Sequence, residues 1–269
     1  MCIRDRFNRN DHSFVICAYK ENPHLEMTIQ SLLNQTIKSK VFISTSTPND
    51  HIKGLCQKYG LELFVNPSPK NAGADWNWAY DHAPTPLVTI AHQDDYYEPD
   101  FLEKTLKYIG NKHDFILAFT DYYEIRNDKK IYTNKILKVK RMMLAPLKKD
   151  KNQTSKFIRR RILSIGCPIC CPAATYNKVV AGKSIFDTNY INSCDYKTWC
   201  DLAELNGEFI YIDKPLLGHR IYAESATSKN LGENIRKKED LEIMSLYWPK
   251  FIANGINTVY ALSEKSNKL

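Results

Sequence analysis

The feature that most constrains the fold of this 269-residue chain is a regular alternation of strand patterns and helical patterns in its N-terminal part. Apolar segments at 13–19, 41–44, 61–65 and 86–91 have the length and composition of buried strands. Between them, apolar residues recur at helical spacing. Four strand–helix alternations in succession predict a parallel sheet with crossover helices.

Composition excludes several protein classes. With 43% hydrophobic and 25% charged residues, the chain resembles an ordinary soluble globular protein, and no apolar run approaches the length of a membrane span. We find no N-terminal stretch with the form of a signal peptide, so the eight cysteines are expected to be reduced thiols. These observations predict a cytoplasmic location.

A group of potential metal ligands follows the fourth strand pattern. An apolar run ends in His92, Asp94 and Asp95, and Pro99 then opens a helical pattern. Ligands bind at the carboxyl ends of strands in open α/β sheets. An imidazole with carboxylates suits Mg²⁺ or Mn²⁺, and phosphate oxygens would complete the shell of such an ion. The alternative is that these acids only stabilise a helix N-terminus through its dipole.

Motifs of other nucleotide-binding classes are absent. The ten glycines are scattered, and neither G-x-G-x-x-G nor G-x-x-x-x-G-K-S/T occurs, which disfavours dinucleotide oxidoreductases and P-loop NTPases. Cys167 and Cys170 have the spacing of a zinc half-site. Cys194 and Cys200 are spaced wrongly for a second half, so we do not expect a structural zinc.

The pattern divides the chain into three segments. Residues 1–6 fit no structural element and resemble the translation of a sequencing adapter, so we exclude them from the fold. Residues 7–227 carry the strand and helix patterns, including a hairpin predicted across Asn127 and Asp128. Residues 228–269 are polar and helical with an apolar stripe, which predicts a packing appendage.

The formal net charge of +8 is concentrated in one segment. Residues 135–161 contain eleven Lys and Arg, and Asp150 is their only acid. Such a run is commonly a solvated face; otherwise it attracts an anionic membrane, a lipid pyrophosphate or a nucleic acid. Residues 142–144 and Leu147 are placed as in an interfacial helix, although they could equally pack on the core. No nucleic-acid-binding motif accompanies the charge, so nucleic acid is not an expected partner.

The order of these motifs resembles the family-2 glycosyltransferases, which are inverting enzymes with a GT-A fold. Six segments carry the resemblance, which spans roughly Ser13 to Thr227. They are 14–20, 32–36, 71–77, 92–95 with Pro99, Cys194 with Asp195, and 219–222 with Ser225. It implies an α/β fold of the Rossmann-like GT-A type, with a mostly parallel central sheet, helices on both faces and a C-terminal helical appendage.

The resemblance also implies roles for individual residues. Asp195 falls where the family carries its catalytic base, although an acid at a helix start can serve the dipole alone. Asp94, His92 and His219 are the expected ligands of a divalent Mn²⁺ or Mg²⁺ ion. The residues expected to bind the nucleotide sugar are Ala18, Tyr19, Glu21, Thr45, Asn71, Asn77, Gln93 and Arg220.

Several residues depart from the family pattern. The second strand ends in Thr45 and Ser46 where the family usually has Asp, so uridine cannot be assumed as the nucleoside. His92 replaces the first acid of the DXD motif, which leaves Asp94 as the best metal ligand. Trp76 replaces the Arg that precedes Asn77.

The function that the resemblance implies is metal-assisted transfer of a sugar, with inversion, from a nucleotide-sugar donor to a saccharide or lipid-linked acceptor. Bacterial cell-surface polysaccharide synthesis is the implied context, with peripheral contact of residues 135–161 to the inner face of the cell membrane. The alternative is a catalytically degenerate GT-A module that binds a nucleotide or a glycan. A nucleotidyltransferase is disfavoured because a glycine-rich, Lys-bearing loop is absent.

Overall fold

The structure is a computed structural model that describes residues 6–222 and 231–265. Its strands are β1 (His12–Ala18), β2 (Lys40–Thr45), β3 (Glu62–Val65), β4 (Leu87–His92), β5 (Tyr96–Tyr97), β6 (Phe115–Arg126), β7 (Lys129–Ile131), β8 (Ala174–Asn177) and β9 (Glu208–Arg220). Its helices are α1 (Leu25–Leu33), α2 (Asp50–Tyr59), α3 (Ala72–His82), α4 (Phe101–Ile109), α5 (Lys135–Leu144), α6 (Asp150–Gln153), α7 (Lys156–Leu163), α8 (Lys178–Ala181), α9 (Cys194–Leu202), α10 (Leu231–Met244) and α11 (Lys250–Lys265).

The nine strands form one mixed sheet in the order β3-β2-β1-β4-β8-β6-β9-β5, with β7 paired to β6. The first four strands of this order are parallel, as the alternating pattern predicts. Strand β8 is antiparallel to both of its neighbours, and β9 is parallel to β6. The chain moves outward from β1 to β3 and then returns to place β4 on the other side of β1. Such a reversal of strand order creates a crevice at the carboxyl ends of β1 and β4.

Both faces of the sheet are buried. Along β1, Val15 belongs to one hydrophobic cluster, whereas Phe14 and Ile16 belong to a second one. Because successive side chains of a strand point to opposite faces, the two clusters lie on the two sides of the sheet. The predicted α/β fold of the GT-A type is therefore confirmed, with antiparallel pairs added by β5, β7 and β8.

Local sequence signals fix the boundaries of several elements. The side chain of Asn49 accepts a hydrogen bond from the backbone of the first turn of α2, and Gly60 ends that helix with a left-handed φ of 64°. Asn127 and Asp128 have φ values of 47° and 58° and connect β6 to β7. Two successive left-handed residues of this type suit a two-residue hairpin, which confirms the predicted turn.

The C-terminal helices pack on the body of the protein. Ile243 and Met244 of α10 and Ala253 of α11 are fully buried in the same cluster as Trp199 of α9. Residues 1–5, Ser225 and the expected boundary at 227/228 lie outside the described residues. None of the helices in 6–222 and 231–265 has the length and apolar character needed to cross a bilayer.

His12 makes the stability of this fold depend on pH. It is fully buried at the start of β1, with Nδ1 3.0 Å from Ser39 Oγ and Nε2 2.9 Å from Thr89 Oγ1. Burial lowers its pKa to about 3. Between pH 6.5 and about 3 the unfolded chain therefore binds a proton that the folded protein excludes, and stability falls as pH falls, by up to about 5 kcal/mol.

We predict that His12→Gln flattens this dependence, because Gln keeps a donor and an acceptor but does not titrate. The measurement is the free energy of unfolding by urea between pH 7 and pH 4 for both proteins. Parallel curves for the wild type and the variant would contradict the prediction.

Candidate active site

The candidate site lies in the crevice at the carboxyl ends of β1 and β4. His92 is the last residue of β4 and pairs in register with Cys17 of β1. Gln93, Asp94 and Asp95 form the turn that follows, and Arg220 ends β9 beside it. Sheet topology thus brings together residues more than 120 positions apart in the sequence.

Asp95 is the fully buried centre of this site. Its Oδ1 accepts hydrogen bonds from Nδ1 of His219, at 3.0 Å, and from the backbone N–H of Arg220, at 2.9 Å. Its backbone carbonyl accepts a hydrogen bond from the Thr28 hydroxyl at 2.8 Å. One residue therefore connects the end of β4 with the end of β9 and with α1.

Electrostatics make Asp95 and His219 an ion pair. Burial raises the pKa of Asp95. The charge and hydrogen bond of His219 lower it, as do the charge of His92 and the backbone N–H of Arg220. Together these lowering effects are larger, so the pKa of Asp95 lies below its usual value. Burial lowers the pKa of His219, but the charge and hydrogen bond of Asp95 have the larger effect, so the net pKa of His219 is raised. The carboxylate and the imidazolium each stabilise the charged form of the other.

Asp94 has a different environment from its neighbour. Its Oδ2 accepts a hydrogen bond from the Tyr222 hydroxyl at 2.8 Å, and that hydroxyl also accepts one from Asn22 Nδ2 at 3.1 Å. Burial and the charge of Asp95 raise the pKa of Asp94. A cation placed beside Asp94 would relieve this repulsion between two adjacent carboxylates.

His92 is held by an aromatic stack. Its ring lies on Trp76 of α3 with centroids 5.2 Å apart and an angle of 15° between the planes. Its Nδ1 is 3.9 Å from Asp95 Oδ2. Among the described residues, His92 Nε2 and Asp95 Oδ2 are buried atoms without a hydrogen-bond partner. These two unsatisfied atoms mark the site as incomplete without a ligand or water.

The side chains in the described part of the chain include no group of three or more His, Cys, Asp or Glu that could hold a metal ion. Mg²⁺ is nevertheless commonly bound through one or two carboxylates, with substrate phosphates and water completing its shell. Metal-binding His residues usually donate their other ring N–H to a carboxylate, as His219 does to Asp95. Asp94 with His219 therefore fits an ion that arrives with a diphosphate.

Gln93 fixes the loop that follows β1. Its Oε1 accepts from the Tyr19 backbone N–H at 2.9 Å, and its Nε2 donates to the Tyr19 carbonyl at 3.1 Å. Lys20 has a φ of 56°, and its N–H donates to Thr47 Oγ1 at 2.6 Å. In this structure Gln93 acts on the shape of the loop, which leaves the Tyr19 ring half exposed.

The predicted residues Ala18, Glu21 and Thr45 lie at the same edge. Ala18 and Thr45 are buried at the ends of β1 and β2, where they pair in register, and Glu21 is exposed in the loop after β1. Thr45 Oγ1 accepts a hydrogen bond from the backbone N–H of Thr47 at 3.0 Å. The side chain of Thr45 is thus engaged within its own turn.

Asp75 is a site residue that the sequence analysis missed. From α3 it accepts hydrogen bonds from Ser46 Oγ at 2.7 Å and from Asn66 Nδ2 at 2.8 Å. Burial raises the pKa of Cys17, and the charge of Asp75 adds to this shift. A carboxylate therefore lies against the carboxyl ends of β1, β2 and β3. An acid in the first turn of a helix just after Asn71 was the available signal.

Asn71 and Asn77 hold the segment that leads to α9. Asn71 Oδ1 caps α3, and its Nδ2 donates to the Thr188 carbonyl at 2.7 Å. The amide of Asn77 exchanges two hydrogen bonds with the backbone of Phe186, at 2.8 and 2.9 Å. A direct contact of these amides with a nucleotide would require them to give up bonds to the protein.

Asp195 is the second residue of α9 and is half buried. Its Oδ1 accepts a hydrogen bond from the backbone N–H of Tyr196 at 2.8 Å. Burial raises the pKa of the Cys170 thiol, and the charges of Asp95 and Asp195 both raise it further. The two carboxylates therefore act on the same buried thiol from different elements.

Much of the basic segment 135–161 serves the fold. Arg141 pairs with Asp121, Lys148 with Asp213 and Arg160 with Glu204. Buried Arg159 donates to the carbonyls of Ala203 and Leu205 and thus satisfies the end of α9.

The apolar residues of the same segment divide between core and surface. Leu144 and Leu147 are buried, whereas Val139, Met142 and Phe157 are exposed. Of the four residues with two alternative placements, Met143, Leu144 and Leu147 pack on the core and Met142 is exposed.

The fold is that of an α/β protein of the GT-A class, with a candidate site at the carboxyl ends of β1 and β4. The model of the family "Glycosyl transferase family 2" matches residues 13–183, and the chain belongs to this family. An uncharacterized glycosyltransferase of Methanocaldococcus jannaschii is 29% identical over 217 residues, which are 78% of this chain and 70% of that protein.

Two solved structures resemble the fold at low sequence identity. Residues 1–349 of S. aureus TarS match with a TM-score of 0.61 and 14% identity, over 92% of this chain and 69% of that one. A mannosyltransferase from Pyrobaculum calidifontis matches with a TM-score of 0.61 and 13% identity, over 97% of this chain and 76% of that one. The protein is therefore a glycosyltransferase with the GT-A fold.

We predict that the two adjacent acids contribute differently to stability. Asp95→Ala removes a buried carboxylate and leaves His219 and the Arg220 N–H without their acceptor, which we expect to cost about 3 kcal/mol. Asp94→Ala removes a single hydrogen bond at a half-buried position, with an expected cost of about 1 kcal/mol. Urea unfolding of both variants at pH 7 measures the difference. Equal losses would contradict the central role of Asp95.

Proposed function

We propose that this protein transfers a sugar, with inversion, from a nucleotide-sugar donor to a saccharide or lipid-linked acceptor, assisted by a divalent ion. The observation that carries the proposal is the arrangement of Asp94, Asp95 and His219 at the crevice beside the carboxyl ends of β1 and β4. A separate acid, Asp195, lies on α9. Related proteins support it, because TarS was solved with UDP-GlcNAc and the P. calidifontis enzyme with GDP-Man and Mn²⁺.

We assign the binding of the donor's diphosphate, with its metal ion, to Asp94 and His219. A divalent ion, when bound, stabilises the charge of the departing diphosphate as a Lewis acid. Asp94 and Nε2 of His219 would hold it; metal binding would displace the Nε2 proton of the imidazolium to solvent, while Nδ1–H of His219 stays bonded to Asp95. Arg220, whose guanidinium pairs with the exposed Asp128 at 2.8 Å, is the second candidate contact to the phosphates.

Asp195 is the proposed base. It takes the proton from the acceptor hydroxyl as that oxygen forms a bond to the anomeric carbon. The bond from the anomeric carbon to the diphosphate breaks at the same time, and its electron pair leaves with the nucleoside diphosphate. A single in-line displacement of this kind inverts the configuration at the anomeric carbon.

Asp75 is the proposed determinant of the nucleobase. A carboxylate only accepts hydrogen bonds, and Asp75 lies where the ends of β1, β2 and β3 border the crevice. Uracil, thymine and guanine present a ring N–H to such an acceptor, whereas the corresponding ring nitrogens of cytosine and adenine carry no proton. We therefore expect a UDP-, dTDP- or GDP-sugar as donor.

The acceptor is proposed to be lipid-linked and to belong to cell-surface polysaccharide synthesis. Exposed Val139, Met142 and Phe157 lie on helices α5 and α7 together with exposed lysines such as Lys138 and Lys156. Apolar side chains among cations suit the interface of an anionic membrane. Peripheral contact through residues 135–161 would bring the protein to such an acceptor.

The test of the proposed function is nucleotide release from a panel of UDP-, GDP- and dTDP-sugars, with and without Mn²⁺. We predict that the wild type releases the nucleoside diphosphate from one donor and that Asp94→Ala abolishes the effect of Mn²⁺.

We predict that Asp195→Asn binds the nucleotide like the wild type and loses about 100-fold or more in turnover. Asp201→Asn is the matched control, because Asp201 is an exposed acid of the same helix paired with Lys197.

Other outcomes identify the alternatives. Release of pyrophosphate would indicate a nucleotidyltransferase. Nucleotide binding in a calorimetric titration, with no turnover of any donor, would indicate a degenerate binding module. Either result contradicts the proposed function.

A second prediction concerns Asp75→Asn. Loss of a charged acceptor costs about 1.5–3 kcal/mol, so the affinity for the preferred nucleoside diphosphate should fall roughly 10- to 100-fold. The affinity for CDP should change little, so the difference in affinity between the preferred nucleoside diphosphate and CDP should become smaller. The control is Asp81→Asn on the same helix, whose carboxylate accepts from Ser184. An equal loss of affinity for UDP, dTDP, GDP and CDP in isothermal titration calorimetry would contradict recognition of the base by Asp75.

A further inference from the structure

The C-terminal helix α10 binds the segment that leads into the catalytic helix α9. One carboxylate, Glu239, accepts three backbone N–H groups: Ile191 at 2.7 Å on Oε1, and Asn192 at 2.9 Å and Ser193 at 2.8 Å on Oε2. The next residue, Asp240, accepts from the Ser193 hydroxyl at 2.6 Å. Three successive N–H groups directed at one carboxylate form a charge-assisted anchor.

This anchor is buried and replaces an ordinary helix cap. Glu239 is 7% exposed, Asp240 2% and Ser193 1%. Ser193 is the N-cap residue of α9; its side chain makes no capping hydrogen bond to the helix, and its hydroxyl donates to Asp240. The start of α9 is therefore fixed by α10, across almost fifty residues of sequence.

Asp195 follows Ser193 by two residues, so the position of its carboxylate depends on how the first turn of α9 is held. Its own side chain is bonded only locally, through Oδ1 to the Tyr196 N–H. Long-range hydrogen bonds hold this turn from two sides: the Tyr196 hydroxyl donates to the Leu163 carbonyl, and the two acids on α10 bind the residues that precede the helix. Burial of these two acids is tolerated because three backbone N–H groups and one hydroxyl bind them, so the same bonds that satisfy the acids hold residues 191–193 in place.

We infer that Glu239, with Asp240, is a positioning residue that sets Asp195 at the acceptor side of the site. The inference rests on the proposed function, in which Asp195 is the base. It makes α10 part of the catalytic machinery, where the sequence analysis expects only a packing appendage. Both act through residues 191–193: Glu239 binds their backbone N–H groups, and Asp240 binds the Ser193 hydroxyl.

The test is Glu239→Gln, which keeps the shape of the side chain but leaves one oxygen for three donors and presents an NH₂ group to them. A shift of the base by about 1 Å is expected to reduce kcat roughly 10- to 100-fold. The KM for the donor and the affinity for the nucleoside diphosphate should stay within about twofold, since the donor site is built on other elements. Amide hydrogen exchange at residues 191–193 should become faster.

The matched control is Glu242→Gln, the same substitution at an exposed position of the same helix. It should leave kcat, nucleotide affinity and amide exchange unchanged. Should Glu239→Gln fail to fold, Ser193→Ala removes only the bond to Asp240 and should lower kcat in the same direction by a smaller factor.

Two outcomes would overturn the inference. Faster exchange at 191–193 with an unchanged kcat would show that the anchor does not position the base. A parallel loss of kcat, nucleotide affinity and thermal stability would show a general structural role. Failure of the proposed function is distinguishable, because the wild-type protein itself would then release no nucleoside diphosphate from any sugar nucleotide, whether or not it binds one.

Discussion

The candidate site depends on the ion pair between Asp95 and His219. A buried carboxylate is tolerated only where its charge is compensated, and here an imidazolium and a backbone N–H provide the compensation. The pair joins the end of β4 to the end of β9, which are remote in sequence and not neighbours in the sheet. It orients His219, shapes the turn that presents Asp94, and brings Tyr222 within reach of that carboxylate.

Two departures from the family pattern become one change in the structure. Trp76 stands in place of an Arg and His92 in place of an acid, and their rings stack on each other. The two stacked rings keep the end of β4 packed against α3. The position of Asp94 after β4 is therefore supported with His92 in place, so His92 is not by itself a sign of a degenerate site.

Local patterns predicted the fold because they reflect local physics. Strand periodicity and the hairpin at Asn127 and Asp128 depend on neighbouring residues, and the structure has both. Asp75 and Glu239 were missed because their roles come from partners on other elements. Nothing in the sequence around Glu239 distinguishes it from the exposed acid Glu242, three residues later on the same helix.

The C-terminal part of the chain connects the two halves of the proposed chemistry. Tyr222 binds the carboxylate of Asp94 on the donor side, and α10, which begins at Leu231, binds the start of the helix that carries Asp195. The described C-terminal residues therefore contact both the carboxylate proposed for the donor side and the segment that precedes the proposed base.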